Sequence, residues 1–173
     1  MRTVALDVQQ YFRPIRGQRP WRARLGVGSF LTIDFGHRIK EDHHFRGEWY
    51  LWIFQANWVL LHGDRKIADS DSARQAIEVA VQRLESCELT NVNFDPQTSV
   101  TEFIFGGFRL IVSPADYLED PDERDKYWLF FMPDSLVLTV GPGGVKVGRS
   151  DVPGPNQELP VVKLAKRAID FNL

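Results

Sequence analysis

Apolar and polar residues alternate along most of this chain, and the alternation predicts mainly strands. Between Trp21 and Gly36, Leu25, Val27, Leu31, Ile33 and Phe35 share one parity, which predicts a single long strand with one buried face. Glu48–Phe54 is different, because Trp49, Leu51 and Ile53 are apolar on one side and Tyr50, Trp52 and Phe54 on the other. A strand apolar on both faces belongs at the centre of a covered sheet. A turn at Gln55–Asn57 and a second strand would complete a hairpin reaching His62. One segment changes period. Over Asp71–Ser86, Ala73, Ala76, Ile77, Ala80, Val81 and Leu84 recur at helical spacing, and Ser72 with Gln75 forms an S-x-x-Q capping box.

Beyond the helix, Leu89–Phe94 and the pair Ser99–Phe105 and Phe108–Ser113 predict strands, with Gly106-Gly107 as the turn between the last two. Lys126–Asp151 adds further strands around the turn Gly141-Pro142-Gly143-Gly144. The linker VPGPNQE then leads to Pro160, Val161, Leu164, Ala165, Ala168 and Ile169, which suggest a short terminal helix with Lys163, Lys166 and Arg167 outside. A strand over PVVKL is the alternative. At the other end a short strand over Thr3–Val8 is expected. Pro14, Gly17 and Pro20 then favour an extended path rather than a helix.

The chain also echoes itself. Trp49, Tyr50, Leu51 and Trp52 match Tyr127, Trp128, Leu129 and Phe130 at a spacing of 78, and Ser29–Gly36 matches Ser99–Gly106 at a spacing of 70. The expected fold is therefore α+β. It has two pseudo-repeated, mainly antiparallel β units, one central helix packed on a sheet face, and a short C-terminal helix. All of 1–173 forms one domain: a basic arm (1–24), a first β unit (25–71), the helix (72–86), a second β unit (89–151), and a linker with tail helix (152–173).

Composition narrows the function. With 173 residues, 43% hydrophobic and 25% charged, the chain is globular rather than disordered. The net charge of −2 gives no overall pull toward nucleic acid or an anionic membrane. Residues 1–24 nevertheless hold six Arg against one Asp. Arg13, Arg16, Arg19 and Arg22 recur every third residue, a pattern that would suit phosphate contact. The acidic remainder opposes it. Cys87 is the single cysteine, so no intramolecular disulfide or cysteine-based zinc cluster is possible. No apolar run is long enough to span a membrane, and no secretory leader is legible at the start, so a cytoplasmic protein is expected.

Candidate chemistry is sparse. Gly26-x-Gly28 precedes a strand instead of a helix, so it is no phosphate cradle. Residues 37–46 are expected to form a polar connection, in which His37, His43 and His44 with Glu41 and Asp42 carry metal-ligand atoms, but without H-x-x-x-H or H-E-x-x-H spacing. Asp34, Glu48 and Glu102 are carboxylates on strands, where solvated surface groups are the ordinary case. The acidic loop Asp116–Lys126 lacks the residue order of a calcium site. No catalytic residue, metal site or cofactor is assigned.

The run LGVGSFLTIDFG followed by GEWYLWIFQANW resembles a pattern in small bacterial proteins of uncharacterised function, over about residues 21–71 and through the echo to 151. That resemblance implies no activity or cofactor. In size and outline the chain is also similar to compact α+β immunity proteins encoded beside bacterial toxins.

The expected function is a non-catalytic protein-interaction module, either an inhibitor or immunity-type partner or an oligomerising subunit. Trp49, Trp52, Trp58, Trp128 and Phe130 are its candidate contact residues. Nucleic-acid binding through the arginines of the arm is the first alternative, and an enzyme or metal-binding protein using the histidines and carboxylates is the second.

Overall fold

The structure, a computed structural model, describes residues 7–122 and 125–151. Its body is two antiparallel sheets packed face to face. The first has six strands in the order β1 (Arg22–Leu25), β2 (Leu31–Glu41), β3 (His44–Ile53), β9 (Trp128–Phe131), β10 (Leu136–Gly141), β11 (Gly144–Arg149). The second has five, in the order β5 (Arg65–Asp69), β4 (Ala56–His62), β8 (Phe108–Pro114), β7 (Thr101–Phe105), β6 (Leu89–Phe94). Among the described residues, helix is confined to α1 (Val8–Phe12), α2 (Arg74–Gln82) and short 3-10 turns, so the described chain is mostly β.

Alternation along each strand fills the space between the sheets. Leu31, Ile33, Phe35, Leu51, Ile53, Trp128, Phe130, Leu138 and Val140 come from the first sheet. Trp58, Leu60, Leu110, Val112, Phe103 and Phe105 meet them from the second. Among the described residues, the buried polar side chains are Asp34 and Thr101.

The strands apolar on both faces do sit centrally. β3 pairs with β9, Tyr50 opposite Phe131 and Trp52 opposite Leu129, with β2 and β10 on either side. The two echoed stretches are thus next neighbours, but neither forms a unit by itself. The expected hairpin over Glu48–His62 is absent, because β3 and β4 belong to different sheets. Gln55 makes the corner: its side-chain amide donates to Asp125 Oδ1 (3.0 Å) and its side-chain oxygen accepts from the Lys126 N–H (2.9 Å). Those bonds hold the chain where it leaves one sheet for the other.

Three further expectations are corrected. The single strand over 21–36 is instead the hairpin β1–β2, closed where the Gly26 N–H donates to the Phe30 carbonyl at 2.7 Å. Gly28 takes φ +62° in that turn, a conformation glycine adopts without strain. The polar connection 37–46 is a hairpin arm, since β2 runs on to Glu41 and returns as β3 from His44. The path expected to be extended is helical from Val8, at α1, while most of the strand expected over Thr3–Val8 lies outside the described residues. Asp7 accepts from the Gln9 N–H at 3.1 Å, and Val8, Phe12 and Ile15 bury one face. Pro14 falls at the opening of the following 3-10 turn, where a missing N–H costs nothing. Phe12 lies between the sheets, stacked on Phe130 at 4.1 Å and edge-on to Phe103 at 5.7 Å.

The expected central helix forms as α2 plus a 3-10 turn to Ser86, burying Ile77, Ala80, Val81 and Leu84. It packs against β1 and β5, the edge strands of the two sheets, and not across a sheet face. The capping box does not form: Ala73 is the N-cap, and the Ser72 hydroxyl donates to Asp69 Oδ1 at 2.8 Å instead. The expected tail helix, and the residues before Asp7, lie outside the described residues. No helix among the described residues is long and apolar enough to cross a membrane.

Candidate interaction face

The outward side chains of the six-stranded sheet form two rows across it. One row runs Arg22, Asp34, Tyr50, Phe131, Val137 and Gly148; the next runs Arg24, Thr32, Trp52, Leu129, Thr139 and Lys146. Polar groups occupy the β1–β2 end of both rows and, in the second row, the β10–β11 end as well; apolar groups fill the middle. Phe54, Leu129, Phe131 and Val137 form a second cluster outside the main core, and Phe30, Tyr50 and Trp52 pack against it half-buried. Tyr50 stacks on Phe131 at 4.4 Å, Trp52 meets Phe131 edge-on at 5.1 Å, and Phe30 lies against Phe54 at 4.4 Å. The outcome is a second apolar cluster, buried at Leu129, Phe131, Val137 and Phe54 and half-buried at its rim of Phe30, Tyr50 and Trp52, whose members all belong to this sheet or its flanking turns.

A cationic border flanks it at β1 and β3. Asp34 is fully buried and accepts from Arg22 Nε (2.9 Å) and the Gly47 N–H (2.7 Å). Arg22 also donates to the Phe45 carbonyl at 2.6 Å. Arg46 pairs with Glu41 and lies over the Tyr50 ring at 5.3 Å. Burial pushes the Tyr50 phenol far above its ordinary pKa; the Arg46 charge opposes that, while Glu41 and Asp34 reinforce it. Arg24 has no hydrogen-bond or ion-pair partner among the described residues. Burial lowers its pKa, the Arg22 charge lowers it further, and Asp34 works the other way.

The sequence-selected contact residues are divided by strand parity. Trp52 lies on this outer face, half-buried. Trp49 is half-buried against the main core and stacks on Phe130 at 5.8 Å. Trp58, Trp128 and Phe130 are sealed between the sheets. The Trp58 indole donates to the Ser29 carbonyl and that of Trp128 to Thr101 Oγ1, each at 2.8 Å. Tyr50, Phe131, Phe30, Phe54 and Arg24 complete the face. Their signal in the sequence was position: each strand residue lies an odd number of places from a core-facing neighbour.

The four arginines of the arm do not form one free stripe. Arg16 donates to Asn91 Oδ1 at 2.8 Å and Arg22 is committed to Asp34, while Arg13 and Arg19 are exposed. Asp34 and Glu102 face away from each other on the outsides of opposite sheets, and Glu102 is held by Arg109 (3.2 Å) and Asn93 (3.1 Å). Glu48 accepts a long bond from the His37 N–H at 3.4 Å. Among the described residues no three histidine, cysteine or carboxylate side chains converge as a metal site. The concavity between α1 and β6, lined by Gln9, Phe12, Arg16, Leu89, Asn91 and Val92, has no room for a water molecule.

No protein-family model matches the chain, and no curated protein or solved structure matches it either.

Proposed function

We propose that the protein is a non-catalytic protein-interaction module and that the outer face of its six-stranded sheet is the contact surface. The observation that carries this reading is the half-buried pair Tyr50 and Trp52 on a continuous apolar cluster. A monomer rarely leaves aromatic side chains contiguous and accessible, and such patches mark partner surfaces. Tyr and Trp supply large contact area at low entropy cost, and an arginine border adds directional charge. The candidate carboxylates support the same reading, because Asp34 and Glu102 are tied into ion pairs on opposite sides of the molecule.

Affinity capture from the native lysate at physiological salt tests it with two baits, the wild-type chain and Trp52→Glu. A single stoichiometric protein retained by the first and lost by the second is the expected result. Equal retention by both baits, or nothing retained by either, would overturn the assignment. Salt-sensitive retention of nucleic acid, lost on replacing Arg13 and Arg19 by Glu, would favour the basic arm instead.

A further inference from the structure

We propose that two copies of this chain join edge to edge through β11, paired antiparallel about a two-fold axis at Val147, so that their six-stranded sheets become one. The sheet edges differ in their cover. Helix α2 lies against β1 and β5, and α1 lies against β6. β11 ends the first sheet with β10 as its strand neighbour among the described residues. An open edge strand presents N–H and carbonyl groups on which another strand can form.

Alternate residues of an antiparallel strand turn those groups to opposite sides. The Ser150 N–H donates to the Ser135 carbonyl at 2.7 Å, one step beyond the pair Leu136 and Arg149, so the even-numbered residues of β11 face β10. Val145, Val147 and Arg149 therefore turn theirs to the open side. The side chains also stop short there. Ala23, Ile33, Leu51, Phe130 and Leu138 make one cross-strand row on the core side of the sheet, none more than 5% exposed. That row ends at Val147, which is 39% exposed, with Leu136 on the same face at 37%. A second β11 would set Val147 against its own counterpart and carry the row on into the other copy's core.

The strand suits self-pairing. With the axis at Val147, Val145 meets Arg149 and Lys146 meets Gly148 of the other copy, so no like charges stand opposite. An axis at Lys146 would oppose two lysines, and one at Gly148 would set Val147 against Arg149. Arg149 brings no unbalanced charge to the seam, because Asp151 accepts from its Nε at 2.9 Å and from its terminal nitrogen at 2.7 Å. No proline interrupts β11, and its core-side positions before Arg149 are valines, so the usual devices that keep an edge unpaired are missing. A two-fold axis through this seam stands perpendicular to the sheet and leaves Tyr50 and Trp52 open in both copies. The pairing rests on the edge alone, and the interaction reading stands or falls separately.

Sedimentation equilibrium of the purified full-length protein tests the pairing. The wild-type chain is expected to move from 19.9 kDa toward twice that mass as its concentration rises from micromolar to millimolar. Val147→Lys and Val147→Asp should each stay monomeric over that range, with circular dichroism unchanged because Val147 is exposed in a single copy. An equimolar mixture of the two should dimerise again, since only an axis at Val147 brings the opposite charges together. Trp52→Glu should dimerise as the wild type does. A wild type monomeric at every concentration would overturn the proposal, as would dimers that persist in both Val147 variants or a mixture that stays monomeric. Loss of the dimer in Trp52→Glu would move the contact to the outer face and overturn it as well.

Discussion

The indole of Trp128 on β9 donates a 2.8 Å hydrogen bond to the hydroxyl of Thr101 on β7, joining the two sheets through the middle of the core. Both residues are fully buried, and Phe103 and Phe12 pack edge-on against the indole at 5.6 and 6.0 Å. The bond is short-ranged and directional inside an otherwise apolar layer. It fixes how the sheets align.

Thr101→Val should therefore cost about 1–3 kcal/mol, because it strands a buried indole N–H. Trp128→Phe also opens a cavity and should cost about 3 kcal/mol. The double variant should lose less than the sum of the two, since the polar partner is then absent on both sides. Urea unfolding of all four proteins checks this, and strict additivity would count against a coupled pair.

Arg22→Ala should destabilise the protein by about 3 kcal/mol, because it leaves the buried Asp34 carboxylate with the Gly47 N–H as its remaining partner shown here. Arg22→Lys should recover only part of the loss, since a lysine cannot serve Asp34 and the Phe45 carbonyl from one planar group. Thermal melts of the two variants separate charge from geometry.

Gly47→Ala should be at least as harmful as a core substitution, at about 2–3 kcal/mol. A Cβ at Gly47 would stand 2.7 Å from the Phe35 carbonyl oxygen and 2.8 Å from the Phe35 nitrogen, with the Trp49 carbonyl also in contact. This is where β2 and β3 shift register between Phe35 and Arg38, so the neighbours are backbone and cannot swing aside. Denaturant midpoints at constant slope would show it.

Asp69 should titrate below its ordinary value of 3.8, held down first by the Lys66 hydrogen bond and then by the Ser72 hydroxyl. Because the native pKa is depressed, its stabilising contribution is present above the unfolded value and is lost as pH falls through the native one. Acid should thus loosen the link between β5 and α2 below about pH 4. Ser72→Ala removes one cause and should raise the Asp69 carboxyl pKa, readable by NMR titration. An unchanged value would show that Ser72 contributes nothing.

Tyr50→Phe should remove the last phase of the alkaline tyrosinate absorbance titration, because burial raises that phenol the most among the tyrosines with a resolved shift. A raised native pKa on an acid means that its stabilising effect holds below the unfolded value and fades as pH climbs through the native one. A titration identical to wild type would place the late phase on another residue.

Much of the local structure was legible because its causes are local. Gly106-Gly107 and the GPGG run turn as their residues require, and the stripe Ile77, Ala80, Val81 and Leu84 buries as its period predicts. Sheet membership was not legible. Nothing near Gln55 distinguishes a hairpin turn from a crossing, because the deciding partners, Asp125 and Lys126, lie far along the chain. The outer apolar face was half legible for a related reason. When a strand is apolar on both sides, composition marks its central place but leaves parity open, so Trp52 outside and Trp128 inside read alike.

The adjacency of β3 and β9 has a consequence for synthesis on the ribosome. β3 gains its neighbour only after the roughly 75 residues between Ile53 and Trp128 have been made, which at about 5–20 residues per second takes on the order of 4–15 s. Throughout that delay Leu51, Ile53, Trp52 and Tyr50 have an open strand edge beside them. The nascent meander of β1, β2 and β3 is then a natural client for a holding chaperone, and slow translation over residues 54–128 would lengthen its exposure.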